Sequence, residues 1–279
     1  MKKSLIAPVA LGAFALAVAG CATPPAASPS AAPSGATSSV AQSDFKACMV
    51  SDAGGFDDKS FNETAYNGLT KAVSELGVQK AEVQSKVDAD YAKNVQSMVD
   101  QKCDIIVTVG YKLGDATLAA AKKNPDIDFA IVDFAYSDAK TGKNTAPKNL
   151  KGLVFNTSEP SFMAGYAAAS LSQTGKLGTF GGANIPTVTA FMDGYARGAA
   201  YYNQAKGKKV AVLGWDTAKK DGTFIGGQAA FDDLPGGKKV ASNLMAQGAD
   251  ILLPVAGPSG EGALQVAKSS NGKVASLWV

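Results

Sequence analysis

The chain has 279 residues, a formal net charge of +3 and no histidine. Without histidine there can be no His-based triad, no His general base and few kinds of zinc site. The near-neutral charge gives no footprint for a phosphate backbone, so no nucleic-acid partner is expected.

The chain opens MKKSLIAPVALGAFALAVAGCATPP. Two lysines, an apolar stretch too short for a stable membrane span, and small residues at its end predict an export signal over residues 1–21. Val18, Ala19 and Gly20 directly before Cys21 look like a lipobox, which would make Cys21 a lipidated N-terminus. A protein so modified is anchored at the extracytoplasmic face of the cell membrane and does not span it. An ordinary signal peptide with an incidental cysteine is the plainer alternative. Removing Lys2 and Lys3 with the signal takes the charge from +3 to +1 (3 − 2). Residues 22–43, rich in Pro, Ala, Ser and Gly, predict a flexible tether.

From Phe45 onward, strand-length apolar runs alternate with helix-period segments. ACMVSD leads to a helix from Ser60, on which Phe61, Ala65, Leu69, Val73 and Leu76 share a side, and Ser60 with Glu63 fits a capping box. AEVQSKVD, a helix around YAKNVQSMVDQ, CDIIVTVG, a helix around ATLAAAKKN, DFAIVDF and GLVFNT follow. The alternation then resumes with a helix over about Ser161–Ser172, KLGTFGG, a helix holding VTAFMDGYARGAAYY, KVAVLGW, a helix near VASNLMAQG, ADILLPVAG, a helix near EGALQVAKSS, and KVASLWV. This order predicts an α/β fold of parallel sheets flanked by helices, in two lobes over 44–160 and 161–279 with a cleft between them. KVASLWV stops without a turn, cap or polar tail, which suggests a chain cut inside or just after a strand. Cys48 and Cys103 both begin apolar strands, and two readings stay open for them: a disulfide between neighbouring strands, or two buried free thiols.

Ligands of open α/β sheets bind at the carboxyl ends of strands. Asp52 stands there in SDAGGFDDKSFNETAYNGL, followed by Gly54, Gly55, Phe61 and Asn62. An aromatic beside an amide and a carboxylate suits a flat, polar, uncharged ligand, stacked on the ring and held at its edge; a core role also explains Phe61. Asp133, at the tip of AIVDF, is a second carboxylate that could accept sugar hydroxyls, or cap a turn. Phe191 in GGANIPTVTAFMDGYARG could face Phe61 across the cleft or pack under the second sheet. In VAGPSGEG the backbone could approach a ligand at Gly257; no Gly-Lys-Ser/Thr follows, so this is no phosphate loop. Neither a cofactor nor a metal ion is expected.

SDAGGFDDKSFNETAYNGL, FNTSEPSFMAGYAAA, GGANIPTVTAFMDGYARGA and QGADILLPVAGPSGEG, in this order, resemble the basic membrane protein family. These are ABC-transporter substrate-binding lipoproteins of the purine nucleoside receptor type. The resemblance covers about Cys48 to Val279 and implies a two-lobed, periplasmic-binding-protein-like fold of type I that delivers a purine nucleoside to a membrane permease. It further implies that Asp52 and Asn62 bind the base edge, that Phe61 and Phe191 stack on the base, and that Asp133 and the backbone near Gly257 contact the ribose. Family members continue into an acidic segment and a ribose-contacting lysine that would lie past Val279, so a protein ending here is expected to bind weakly or misfold. Two alternatives compete. DAGGFDD is similar to the D-x-G-x-D-D calcium motif of nucleoside hydrolases, but one extra residue precedes Asp57 and Asp58 and no histidine is present for acid catalysis. A sugar- or autoinducer-binding protein on the same fold would use similar residue types.

Overall fold

The computed structural model describes residues 41–138 and 141–279. The expected signal segment with Cys21, and nearly all of the expected tether, lie outside the described residues. No described helix is long and apolar enough to cross a membrane.

Lys46–Ser51 (β1) is followed by α1 (Phe61–Leu76), β2 (Gln79–Gln84), α2 (Tyr91–Asp100), β3 (Ile105–Val109), α3 (Gly114–Lys123), β4 (Asp128–Val132) and β5 (Leu150–Leu153). The five strands form one parallel sheet in the order β2-β1-β3-β4-β5. Ala47 to Ser51 are all buried, as expected for an inner strand with helices on both faces. Alternation along β1 divides the core. Cys48 and Val50 pack with Val95 and Met98 of α2 and with Leu113, whereas Ala47 and Met49 pack with Leu69 of α1. Burying a side chain of this size contributes roughly 1.5–3 kcal/mol. The sulfurs of Cys48 and Cys103 are bonded across this sheet, with Cα atoms 6.0 Å apart and a sequence separation of 55. In the chain-entropy account a link of that span contributes about 4 kcal/mol.

The second half comprises α4 (Ser158–Leu171), β6 (Lys176–Gly181), α5 (Pro186–Lys206), β7 (Ala211–Leu213), β8 (Trp215–Asp216), β9 (Asp221–Gly222), α6 (Leu234–Ala246), β10 (Ile251–Val255), α7 (Glu261–Ser269) and β11 (Ala275–Ser276). Its main sheet is parallel, ordered β11-β10-β6-β7. Leu177 packs with Met192 and Tyr195 of α5, while Phe180 and Leu252 pack with Ala241 and Leu244 of α6 and Val266 of α7. Helices α4 and α5 cross closely because a Cβ at Gly165 would lie 2.0 Å from the Tyr195 carbonyl oxygen, and one at Gly198 2.0 Å from that of Phe162. The crossing fixes the start of α5, where Phe191 lies.

Three expectations change. KVAVLGW is not one strand: Gly214, at φ 86°, breaks it into β7 and β8, and β8 pairs antiparallel with β9. Leu76 leaves the apolar side of α1 and is 64% exposed, because the helix ends there on Gly77 in the left-handed region. Helix α4 begins at Ser158, earlier than the expected start near Ser161.

Candidate functional site

A parallel sheet gathers its strand ends on one side, and both sheets turn that side to a single cavity of about 450 Å³. This is within the ~300–1,000 Å³ common for small-ligand sites. Asp52, Phe61, Asn62, Asp133, Phe191 and Gly257 all line it. The first four come from the elements of the first sheet, and Phe191 and Gly257 from those of the second.

The corner after β1 is built around Asp58. The capping box expected of Ser60 and Glu63 does not form: Ser60 makes no side-chain cap, and its hydroxyl donates to the Val279 carbonyl at 3.0 Å. The Asp58 carboxylate, two residues upstream, accepts from the backbone N–H groups of Ser60 (3.0 Å), Asn62 (2.9 Å) and Glu63 (3.0 Å). A charged group with two oxygens can serve several of the amides at a helix start, which a single hydroxyl cannot. Asp58 also accepts from Asn62 Nδ2 at 3.1 Å, and Asp52 Oδ1 accepts from the same nitrogen at 2.9 Å. Both amide hydrogens of Asn62 are therefore committed, which fixes the orientation of the amide.

Asp52 Oδ1 also accepts from Gly54 N–H at 3.1 Å. Burial pushes the Asp52 carboxyl above its ordinary value, opposed by the hydrogen bonds from Asn62 and Gly54, while Asp232 and Asp58 push it further up. Its other oxygen occupies space that any residue but glycine would fill at position 110. Gly110 sits at φ 107°, and a Cβ there would lie 2.3 Å from Asp52 Oδ2.

Asp133 follows β4 at φ 62°, a left-handed conformation that Asp adopts more readily than most residues. Its N–H donates to Leu153 O at 2.8 Å, while its carboxylate accepts no hydrogen bond from the described residues. Burial alone raises its pKa from 3.8 to about 6. The native state then holds a proton that the unfolded chain has lost, so stability falls as pH rises from 3.8 toward 6 and stays lower above that. Asp133→Asn should therefore raise the stability of the ligand-free protein at about pH 7.5 and leave it unchanged below about pH 4, as read by urea unfolding at both. An equal gain at both would assign the effect to backbone strain.

Phe61 and Phe191 are each half-buried. Phe61 packs on the core under α1, Phe191 packs on the core under α5, and each ring also borders the cavity. Each of the two residues thus packs on a core and lines the cavity as well.

Several cavity residues had no sequence expectation. Tyr91 opens α2, and Tyr111 and Lys112 follow Gly110 after β3. Gln228, Phe231 and Asp232 come from the loop before α6. Applying the strand-end rule to VTVGYKL would have found Gly110 and Tyr111. At the rim, Lys112 Nζ donates to Gln228 O at 2.7 Å and pairs with Asp88 at 3.1 Å, and the Tyr111 and Phe231 rings meet edge to face at 6.0 Å. The Lys112–Gln228 and Tyr111–Phe231 contacts join the two halves. No cluster of metal-ligating side chains occurs among the described residues.

A family model described as ABC transporter substrate-binding protein PnrA-like matches residues 45–279. The chain belongs to this family. Among PnrA-like relatives, it is 36% identical over 223 residues to Basic membrane protein A1 of Borrelia garinii subsp. bavariensis, covering 80% of this chain and 60% of that one. It is 33% identical over 287 residues to the ABC transporter nucleoside-binding protein BmpA of Lactococcus lactis subsp. cremoris, covering 100% of this chain and 73% of that one. Among solved structures, an ABC transporter solute-binding protein from Aeropyrum pernix K1 aligns with a TM-score of 0.67 at 27% identity, over 83% of this chain and 61% of the other. The chain thus spans about 60% of the length of the first curated PnrA-like relatives it matches.

Proposed function

We propose that this chain is the substrate-binding component of an ABC importer and takes a purine nucleoside between two lobes, 44–160 and 161–279. The observation that carries the reading is the composition of the cavity wall. Two aromatic rings, Phe61 and Phe191, come from opposite sheets, and hydrogen-bond acceptors from Asp52 and Asn62 lie on the same wall. The rings would stack on the base, Asp52 and Asn62 would hold its edge, and Asp133 with the Gly257 backbone would meet the ribose. The name of the Lactococcus relative, a nucleoside-binding protein, supports a nucleoside as ligand. The rim contacts of Lys112 and Tyr111 would form on closure of the lobes, hiding the ligand from water and presenting one surface to a permease. Ligand favours that state only through its extra contacts there, which is why both lobes contribute. Lipidation of Cys21 would hold the protein at the outer face of the membrane. We assign no catalysis to it.

Incubation with inosine and calcium tests the reading. Saturable heat of binding with the nucleoside recovered intact is the expected result. Release of hypoxanthine would point to hydrolysis, and binding of free sugars without inosine would point to a sugar receptor.

A further inference from the structure

Two buried polar side-chain atoms lack a partner among the described residues, Asn62 Oδ1 and Tyr91 Oη. Asn62 is 2% and Tyr91 5% exposed, and both residues line the cavity. A buried donor or acceptor left unpaired is costly, so two on one wall mark a place where something else is meant to bond. Their capacities differ. The Asn62 amide has spent both hydrogens on Asp52 and Asp58, so its oxygen can only accept. The Tyr91 hydroxyl completes no hydrogen bond among the described residues, although Asp88 and the Ala53 backbone stand close enough to act on it, so a better-placed ligand carbonyl would compete with Asp88 for its hydrogen. Burial, and then the Asp52 charge, raise the pKa of the phenol, so it keeps that hydrogen at neutral pH. A third group is Asp52 Oδ2, which accepts nothing from the described residues and lies beside Gly110, where both residues line the cavity.

We infer that Tyr91 is a specificity-determining residue: its O–H donates to a carbonyl oxygen on the base while Asn62 Oδ1 and Asp52 Oδ2 accept two neighbouring N–H groups, which selects a 2-amino-6-oxopurine nucleoside. The inference rests on the nucleoside reading above. Two acceptors and one donor on the wall call for two donors and one acceptor on the ligand edge. Guanosine supplies N1–H, the 2-amino group and O6. Inosine lacks the 2-amino donor. Adenosine replaces the carbonyl with an amine and the ring N–H with a lone pair, leaving wall groups unpaired.

Calorimetric titration of the full chain with guanosine, inosine and adenosine, before and after Tyr91→Phe, tests this. The unaltered chain should bind the three in that order. Tyr91→Phe should weaken guanosine by about ten-fold and adenosine by less than about two-fold. Because the hydroxyl is unpaired, the melting temperature of the ligand-free variant should hold or rise; a hydroxyl needed for packing would lower it. Adenosine binding tightest, guanosine affinity unchanged by the substitution, or an equal loss for all three would overturn the assignment while leaving the nucleoside reading in place. Failure of the unaltered chain to bind any nucleoside would overturn both.

Discussion

Gly110→Ala should lower the affinity for inosine by at least about 100-fold and folding stability by about 2–4 kcal/mol. The residue holds φ at 107°, where an L side chain is strained, and its Cβ would lie 2.3 Å from Asp52 Oδ2 and 2.9 Å from Asp52 Cγ. Asp52 cannot give way cheaply, since its other oxygen is held by Gly54 N–H and by the Asn62 amide. Moving it would release an amide hydrogen of Asn62 as well, so one methyl group disturbs two of the groups proposed to hold the base. Titration calorimetry and urea unfolding on the same preparation check both numbers. Retained affinity with a clear stability loss would separate Asp52 from the ligand.

Phe191→Ala should weaken inosine binding by about 5- to 150-fold, the range set by ~1–3 kcal/mol of base stacking. Its effect on unfolding should be smaller, about 1 kcal/mol, because the ring is only half-buried against the second core. The backbone there is held independently: Ser161 Oγ donates to Phe191 O at 2.5 Å, a bond that truncation of the ring leaves in place. Phe191→Tyr keeps a stacking face and should retain most of the affinity. If unfolding and binding lose the same free energy in Phe191→Ala, the ring is core and the stacking role is lost with it.

The α/β alternation and the cavity wall were legible to different degrees. Strand-length apolar runs ending on Gly or Asp located Asp52 and Asp133, because a parallel sheet must expose the residue after each strand on one side. After β3 the same position is held by Gly110, which has no side chain to suggest a ligand contact, and this also hides Tyr111 beside it. Tyr91 was hidden by a different effect. It belongs to the core of the first sheet and also lines the cavity, and helical periodicity registers only the first role. The Ser60–Glu63 spacing was misleading because pattern matching weighs a serine by position. The competing Asp58, outside the pattern, brings charge and a second oxygen. At Gly214 the apolar run continued although the backbone could not, and only the positive φ reveals the break.

Asp58 joins two matters that proteins commonly keep apart. The same carboxylate that lets α1 begin also turns the amide of Asn62, so foldability and the proposed contact with the base descend from one side chain. A library selected for expression alone would preserve this corner of the cavity without ever meeting the ligand. Drift toward a new cargo would have to start elsewhere on the wall.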